Sequence, residues 1–138
     1  MTPHDPERLA ETLSWIRRAD RDLHAARGVL TLDPPLTDDS AFHCQQAVEK
    51  LLKAFLTWHD QPFRRTHDLG ALGYQCSQID ASLENLLREA APLTEYAWKF
   101  RYPIDEPEPE SSDVQYAIQL AERVRLEILY RLPEEITE

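Results

Sequence analysis

The sequence predicts an all-α protein: an antiparallel up-down four-helix bundle with one additional short helix, in a single domain covering residues 1–138. Apolar residues recur at three- and four-residue intervals along five segments, and no run alternates with the two-residue period of a strand. Only three glycines and two cysteines are present, so neither tight turns nor disulfide staples dominate the chain. A length of 138 residues supports one hydrophobic core and not two.

Asp5 and Pro6 read as the cap and first residue of the opening helix, in which Leu9, Ile16, Leu23 and Leu30 recur every seven residues, with Thr12, Ala19 and Ala26 between them. It ends between Gly28 and Leu32, because Pro34 and Pro35 cannot continue a helix. Asp38, Asp39 or Ser40 is the predicted cap of the second helix, whose stripe of Ala41, Cys44, Val48, Leu51, Leu52 and Phe55 runs to about His59. Gln45, Gln46, Glu49, Lys50 and Lys53 make its other side, a polar face predicted to be open to solvent, with Glu49 and Lys53 as an i,i+4 ion pair.

Pro62 marks the next loop, and Thr66 or Asp68 caps a short third helix containing Leu69, Leu72 and Ile79. Asp80 or Ser82 opens a fourth with Leu83, Leu86, Leu87 and Ala90. Pro92 falls inside that pattern, and since Leu93, Ala97 and Phe100 keep it going, the prediction is a kinked continuation. Residues 102–112 combine three prolines with four acidic residues and are predicted to be solvated loop. Ser111, Ser112 or Asp113 then caps a last helix with Val114, Ala117, Ile118, Ala121, Val124, Ile128 and Leu132, ending at Pro133.

The net charge of -10 and pI near 4.9 argue against a protein that coats nucleic acid through a generally basic surface, since that affinity comes from neutralising phosphates; a local basic patch stays open. No apolar run approaches the roughly 20 residues of a membrane span, and Met1 to Asp5 has no signal-peptide character, so the expected location is cytoplasmic. Cys44 and Cys76 sit among apolar helix residues and read as buried, reduced thiols. No zinc-site spacing, HExxH helix, glycine-rich phosphate loop or Ser/His/Asp order is visible; no metal and no cofactor are expected.

Three pieces stand in order along the chain. They are Gln45-Gln46-Ala47-Val48-Glu49-Lys50-Leu51-Leu52-Lys53-Ala54, then Thr66-His67-Asp68-Leu69, then Arg101-Tyr102-Pro103 before a proline-rich acidic loop. With Trp15, Ala19, Asp22, Leu23 and Ala26 in the opening helix, this set resembles the HEPN family, the higher eukaryote and prokaryote nucleotide-binding domains. The resemblance implies a helical bundle that forms a homodimer and associates with a minimal nucleotidyltransferase, in pairs that include toxin and antitoxin systems. Many members are metal-independent ribonucleases with an arginine followed, after four to six residues, by a histidine. Arg101 occupies the arginine position here, yet no histidine follows it anywhere in the chain. Ribonuclease chemistry needs a base near neutral pKa as well as a cation.

The candidate ligand-binding residues are Gln46, Glu49, Lys50, Lys53, Arg64, Arg65, His67, Arg101 and Tyr102. Lysines and arginines suit phosphate, and His67 near a helix start adds a donor; the same residues also fit a solvated face with a capping turn. Tyr96, Trp98, Lys99, Phe100, Arg101 and Tyr102 mix aromatic and basic groups, a composition suited to core packing or an interface as well as to stacking bases. Arg18 and His24 match the arginine–histidine spacing within the first helix but fall on different faces of it, whereas Arg17 and His24 share a face and also fit an exposed helix surface; His43 and His59 fit surface or capping roles. The leading reading is a binding and partner module for a nucleotidyltransferase, with nucleotide or RNA as ligand. The alternatives are a ribonuclease using Arg101 with His67 as the nearest base, and a purely structural dimer.

Overall fold

The structure is a computed structural model describing residues 5–100 and 107–137. Six α-helices and no strand are found among the described residues. They are α1 (Pro6–Gly28), α2 (Thr37–Trp58), α3 (Leu69–Ile79), α4 (Glu84–Ala90), α5 (Ser111–Tyr130) and α6 (Glu134–Thr137).

The start of α1 follows the sequence closely: the Asp5 carboxylate accepts the Glu7 backbone N–H at 2.9 Å, and Pro6 occupies a position whose missing N–H costs nothing. α2 begins earlier than predicted. Leu36 is its cap residue and supplies no side-chain bond, while Asp38 and Asp39 lie in the first turn, where carboxylates complement the helix dipole. Ser40 is not a cap because it is fully buried against α1, its Oγ donating to the Ala26 carbonyl at 2.7 Å.

Alanine spacing explains how closely α1 and α2 pack. Ala19, Ala26, Ala41 and Ala47 are completely buried, and small side chains let the two backbones approach. The helices run in opposite directions, since Arg8 near the start of α1 meets Asp60 beyond the end of α2, whereas Ala26 meets Ser40. α5 is also opposed to α1, with Arg125 bonded to Asp20 at 2.6 Å and Arg27 to Glu122 at 2.5 Å. α2 touches α1, α3, α5 and the 91–97 segment, and every residue from Leu51 to Leu56 is buried. A helix with neighbours on so many sides has little solvent face to offer.

Asp68 caps α3 through the N–H groups of Gly70 and Ala71, at 2.9 and 3.2 Å. Gly73 allows α3 and α4 to close together, because a Cβ there would stand 3.2 Å from Leu87 Cβ. At Pro92 the predicted kinked helix is corrected. α4 stops at Ala90 and the chain tightens into a 3₁₀ run over Ala91–Ala97, in which Leu93 stays buried. Proline removes one i→i−4 bond and crowds the previous turn, and the tighter winding relieves both while preserving the apolar side.

Within the predicted 102–112 loop, residues 107–110 are described and have no regular structure. α5 carries the predicted stripe from Val114 to Ile128, all of it buried, and Leu132 is buried just past its end at Tyr130, but Glu110 is its cap residue and none of Ser111, Ser112 or Asp113 makes a cap bond. Beyond Pro133 the chain forms one more turn, α6, which the sequence reading ended too soon to include; Ile136 there is 3% exposed and α6 packs on α1. No helix among the described residues is long and apolar enough to cross a membrane.

Cys44 and Cys76 are fully buried and unbonded to each other, and burial pushes both thiols up to about 12. In native protein at pH 8 neither should react with a thiol-specific reagent, and both should react at once in denaturant; rapid labelling of the native chain would contradict this packing. Leu52→Ala is expected to cost about 2–5 kcal/mol in urea unfolding, by loss of transfer energy and by the cavity left behind. Asp80 bonds the Ser82 hydroxyl, Arg131 and the Ser82 N–H, which together hold its carboxyl down to about 2 from an ordinary 3.8. The stability it adds is therefore complete above about pH 4 and fades as pH falls towards 2, where the unfolded chain takes up its proton first. Asp80→Asn should flatten that part of the acid-unfolding curve.

Candidate functional site

The polar residues of α2 fall into two networks, one centred on Asp22 of α1 and one on Glu49. Asp22 of α1, only 7% exposed, accepts Lys50 Nζ at 2.5 Å and faces His43 Nδ1 at 2.9 Å. Asp22 lies within the buried stripe of α1 between Ala19 and Ala26, so its carboxylate requires partners, and both come from α2. This signal was present in the sequence: an acidic residue on an apolar stripe implies a paired charge.

Glu49 is the centre of the second network. It is 5% exposed, and its Oε1 receives His67 Nδ1 at 2.7 Å and Gln45 Nε2 at 3.2 Å, while Oε2 receives Lys53 Nζ at 2.9 Å. Gln45, wholly buried, also donates to the His67 backbone carbonyl at 3.0 Å and accepts from Gln46 Nε2 at 2.6 Å. The Lys53 ammonium lies over two rings, 5.6 Å from the centroid of Trp15 and 5.7 Å from that of Phe63. No buried side-chain nitrogen or oxygen among the described residues lacks a partner.

The open polar face predicted for α2 is thereby corrected. Gln45, Glu49 and Lys53 are buried where distant segments return to α2: Trp15 from α1 and Phe63 from the 59–68 loop, edge-on to each other at 6.1 Å, flank Lys53, and His67 bonds Glu49 and Gln45. The pattern of one helix could not reveal that two distant segments cover it. Lys50 is turned to Asp22 and its charge is already matched. Gln46 is half-buried beside Gln45.

What faces solvent is the loop itself. Asp60 turns the chain in the left-handed region at φ 55°, Gln75 Nε2 holds the Pro62 carbonyl at 3.0 Å, and Thr66 Oγ1 accepts the Asp68 N–H at 3.0 Å. Between these anchors Arg64 and Arg65 are exposed, and neither makes a hydrogen bond or ion pair among the described residues. A cavity of about 570 Å³ is bordered by Phe63, Arg64, Thr66, Asp68, Ala71 and Gln75. Arg18, three residues after Trp15 and so on the same face of α1, is likewise exposed and unpaired; the sequence reading had weighed it only against His24.

His67 belongs to both regions. Its ring is anchored on buried Glu49 while the side chain stays 66% exposed. An ionised carboxylate can only accept, so Nδ1 carries a proton and Nε2 is the atom left on the outer edge of the ring. The pair is a carboxylate-oriented imidazole two and three residues along the loop from two guanidinium groups that have no partner among the described residues.

Arg101 and Tyr102 lie outside the described residues. Arg17 and His24 are exposed on α1. His59 follows α2 as its C-cap residue, with its ring 4.5 Å from that of Phe55, and burial lowers its pKa. Tyr96 packs against Phe100 at 5.8 Å and burial raises its hydroxyl pKa, whereas Trp98 is 57% exposed.

A family model, that of the HEPN domain, matches residues 12–131. No curated protein and no solved structure matches the chain.

The Glu49 network makes a stability prediction that separates a buried ion pair from a surface one. Glu49→Ala should cost about 3–5 kcal/mol in urea unfolding, because it strands the Lys53 ammonium without its carboxylate. The double replacement Glu49→Leu with Lys53→Met should cost markedly less than the sum of the single changes, since the buried charge is removed on both sides. Additive losses would show that the two residues act independently.

Proposed function

We propose, from the premise that this chain belongs to the HEPN domain family, that it is a binding and partner module which receives a phosphate-bearing ligand, a nucleotide or RNA, at the corner formed by Arg64, Arg65 and His67. The observation that carries this reading is the pair of exposed arginines that have no partner among the described residues, in a chain of net charge -10. Guanidinium groups left without carboxylates on an acidic protein are a local site for an oxyanion, and their planar donors suit phosphate. Arg18 extends the same charge onto α1. Glu49 and Lys53 serve by holding the corner in place, and Lys50 by matching Asp22, rather than by touching the ligand.

The wider setting we propose is that of the family resemblance: a homodimer working in the cytoplasm with a minimal nucleotidyltransferase, in a pair of toxin–antitoxin type, where this chain regulates rather than catalyses. Its frame is an antiparallel up-down four-helix bundle of α1, α2, the 81–97 run and α5, with α3 as the added short helix. The opposed directions of α1 with α2 and of α1 with α5 support that arrangement. Leu126 and Tyr130, 65% and 84% exposed on α5, supply apolar surface that a second copy or a partner would cover.

A ribonuclease is the second reading, favoured by one observation, the imidazole of His67 oriented by Glu49 at 2.7 Å. Arg101 would be its cation and His67 its base.

One set of assays separates these readings. For the binding module, a short single-stranded RNA or a nucleoside monophosphate raises the thermal unfolding midpoint, by about 2.7 kcal/mol of added stability at a hundredfold excess over Kd. The gain disappears in the Arg64→Ala, Arg65→Ala double variant, and the RNA stays intact in the presence of a metal chelator. Metal-independent cleavage that Arg101→Ala abolishes would replace binding with the ribonuclease. A chain that neither shifts nor cleaves would be a structural dimer.

A further inference from the structure

We propose that His67 engages the anionic ligand only as an imidazolium held by Glu49, so that capture at this corner takes up one proton. The inference rests on the anion-binding reading above and deepens it.

The argument begins with what the ring can do while it is anchored. Both oxygens of Glu49 are occupied, Oε1 by His67 Nδ1 and Gln45 Nε2 and Oε2 by Lys53 Nζ, and the carbonyl of the same histidine is fixed by Gln45 at 3.0 Å. Ring and backbone are tied at once, so the imidazole keeps Nδ1–H on the carboxylate. In the neutral ring Nε2 then carries a lone pair, which repels a phosphate oxygen. Adding a proton turns the same atom into a charged donor without moving the ring. Buried Glu49 supports that charge from behind and the ligand meets it in front.

The surrounding charges leave this proton as the pH-sensitive element. The elements that meet here carry, among other charged groups, Arg18 and Asp22 on α1, His43, Glu49, Lys50 and Lys53 on α2, Arg64, Arg65 and Asp68 in the loop, and Glu95 in the 91–97 run. Arginine and lysine ordinarily stay charged, and carboxylates ionised, between about pH 5.5 and 8.5. Histidine is the residue type whose ordinary range falls inside that window, and His43 is turned to Asp22 at 2.9 Å. His67 is the one whose free edge meets solvent.

The experiment is isothermal titration of the full chain with a short single-stranded RNA lacking a terminal phosphate, whose phosphodiesters do not titrate, from pH 5.5 to 8.5 in buffers of different ionisation enthalpy. Affinity should fall close to tenfold per pH unit at the upper end, with proton uptake approaching one. His67→Gln should flatten the profile, His43→Gln should leave it unchanged, and Arg65→Ala should weaken binding at every pH with the slope retained. Without any variant, the ring ¹⁵N shifts of His67 at pH 8.5 should report one protonated nitrogen in the free protein and two in the complex. Binding with a flat profile and no proton uptake overturns this inference and leaves the anion site standing, as does a slope that survives His67→Gln. Absence of binding at every pH overturns both.

Discussion

Glu49 places a carboxylate where almost no water reaches it, and the surrounding chain is arranged to make that tolerable. Three side chains from two segments deliver hydrogen bonds to its oxygens, and one of them, Lys53, is itself covered by Trp15 and Phe63. Removing a charge from water costs several kcal/mol, and only a full set of partners in good geometry offsets it. The contacts that satisfy Glu49 therefore also draw α1, α2 and the 59–68 loop to one place. Apolar packing would hold α1 to α2 without it, but nothing apolar would fix the loop at His67 so closely.

That division explains how a strongly acidic chain can present a small basic surface. Salt bridges consume many of its cations: Arg27 with Glu122, Arg125 with Asp20, Arg123 with Glu89 and Arg131 with Glu127 and Asp80. In the 59–68 loop the anchoring is done by Gln75, Thr66 and Glu49, and no carboxylate among the described residues is spent on Arg64 or Arg65. Their charge remains available, on a segment whose two ends are held.

The sequence made the helices legible because each buries one stripe. Asp5-Pro6 announced α1, Asp68 announced α3, and Val114 to Ile128 described the inward side of α5. Where it misled, two physical effects competed. Ser40 looked like a cap, but a hydroxyl can equally satisfy a carbonyl on a neighbouring helix, and it does so at Ala26. Around Pro92 the periodicity of Leu93 and Ala97 suits a 3₁₀ run as well as a kinked helix over so short a span. The α2 face was the deeper difficulty: Gln45, Glu49 and Lys53 are polar by type yet buried by position, and the return of Trp15, Phe63 and His67 to this helix goes with that. His67, Arg64 and Arg65 were identified by residue type, while the partnership of His67 with Glu49 depends on a loop path that no spacing encodes.

The central claim is that the free face of this corner is an oxyanion site. A backbone and side-chain NMR titration of isotopically labelled protein with a short single-stranded RNA addresses it directly. Saturable shifts concentrated on the Arg64 and Arg65 guanidinium signals and the amides from 63 to 68, with the α5 surface silent, are the predicted result. Shifts centred on α5, or none at ligand concentrations that saturate ordinary nucleotide sites, would contradict it.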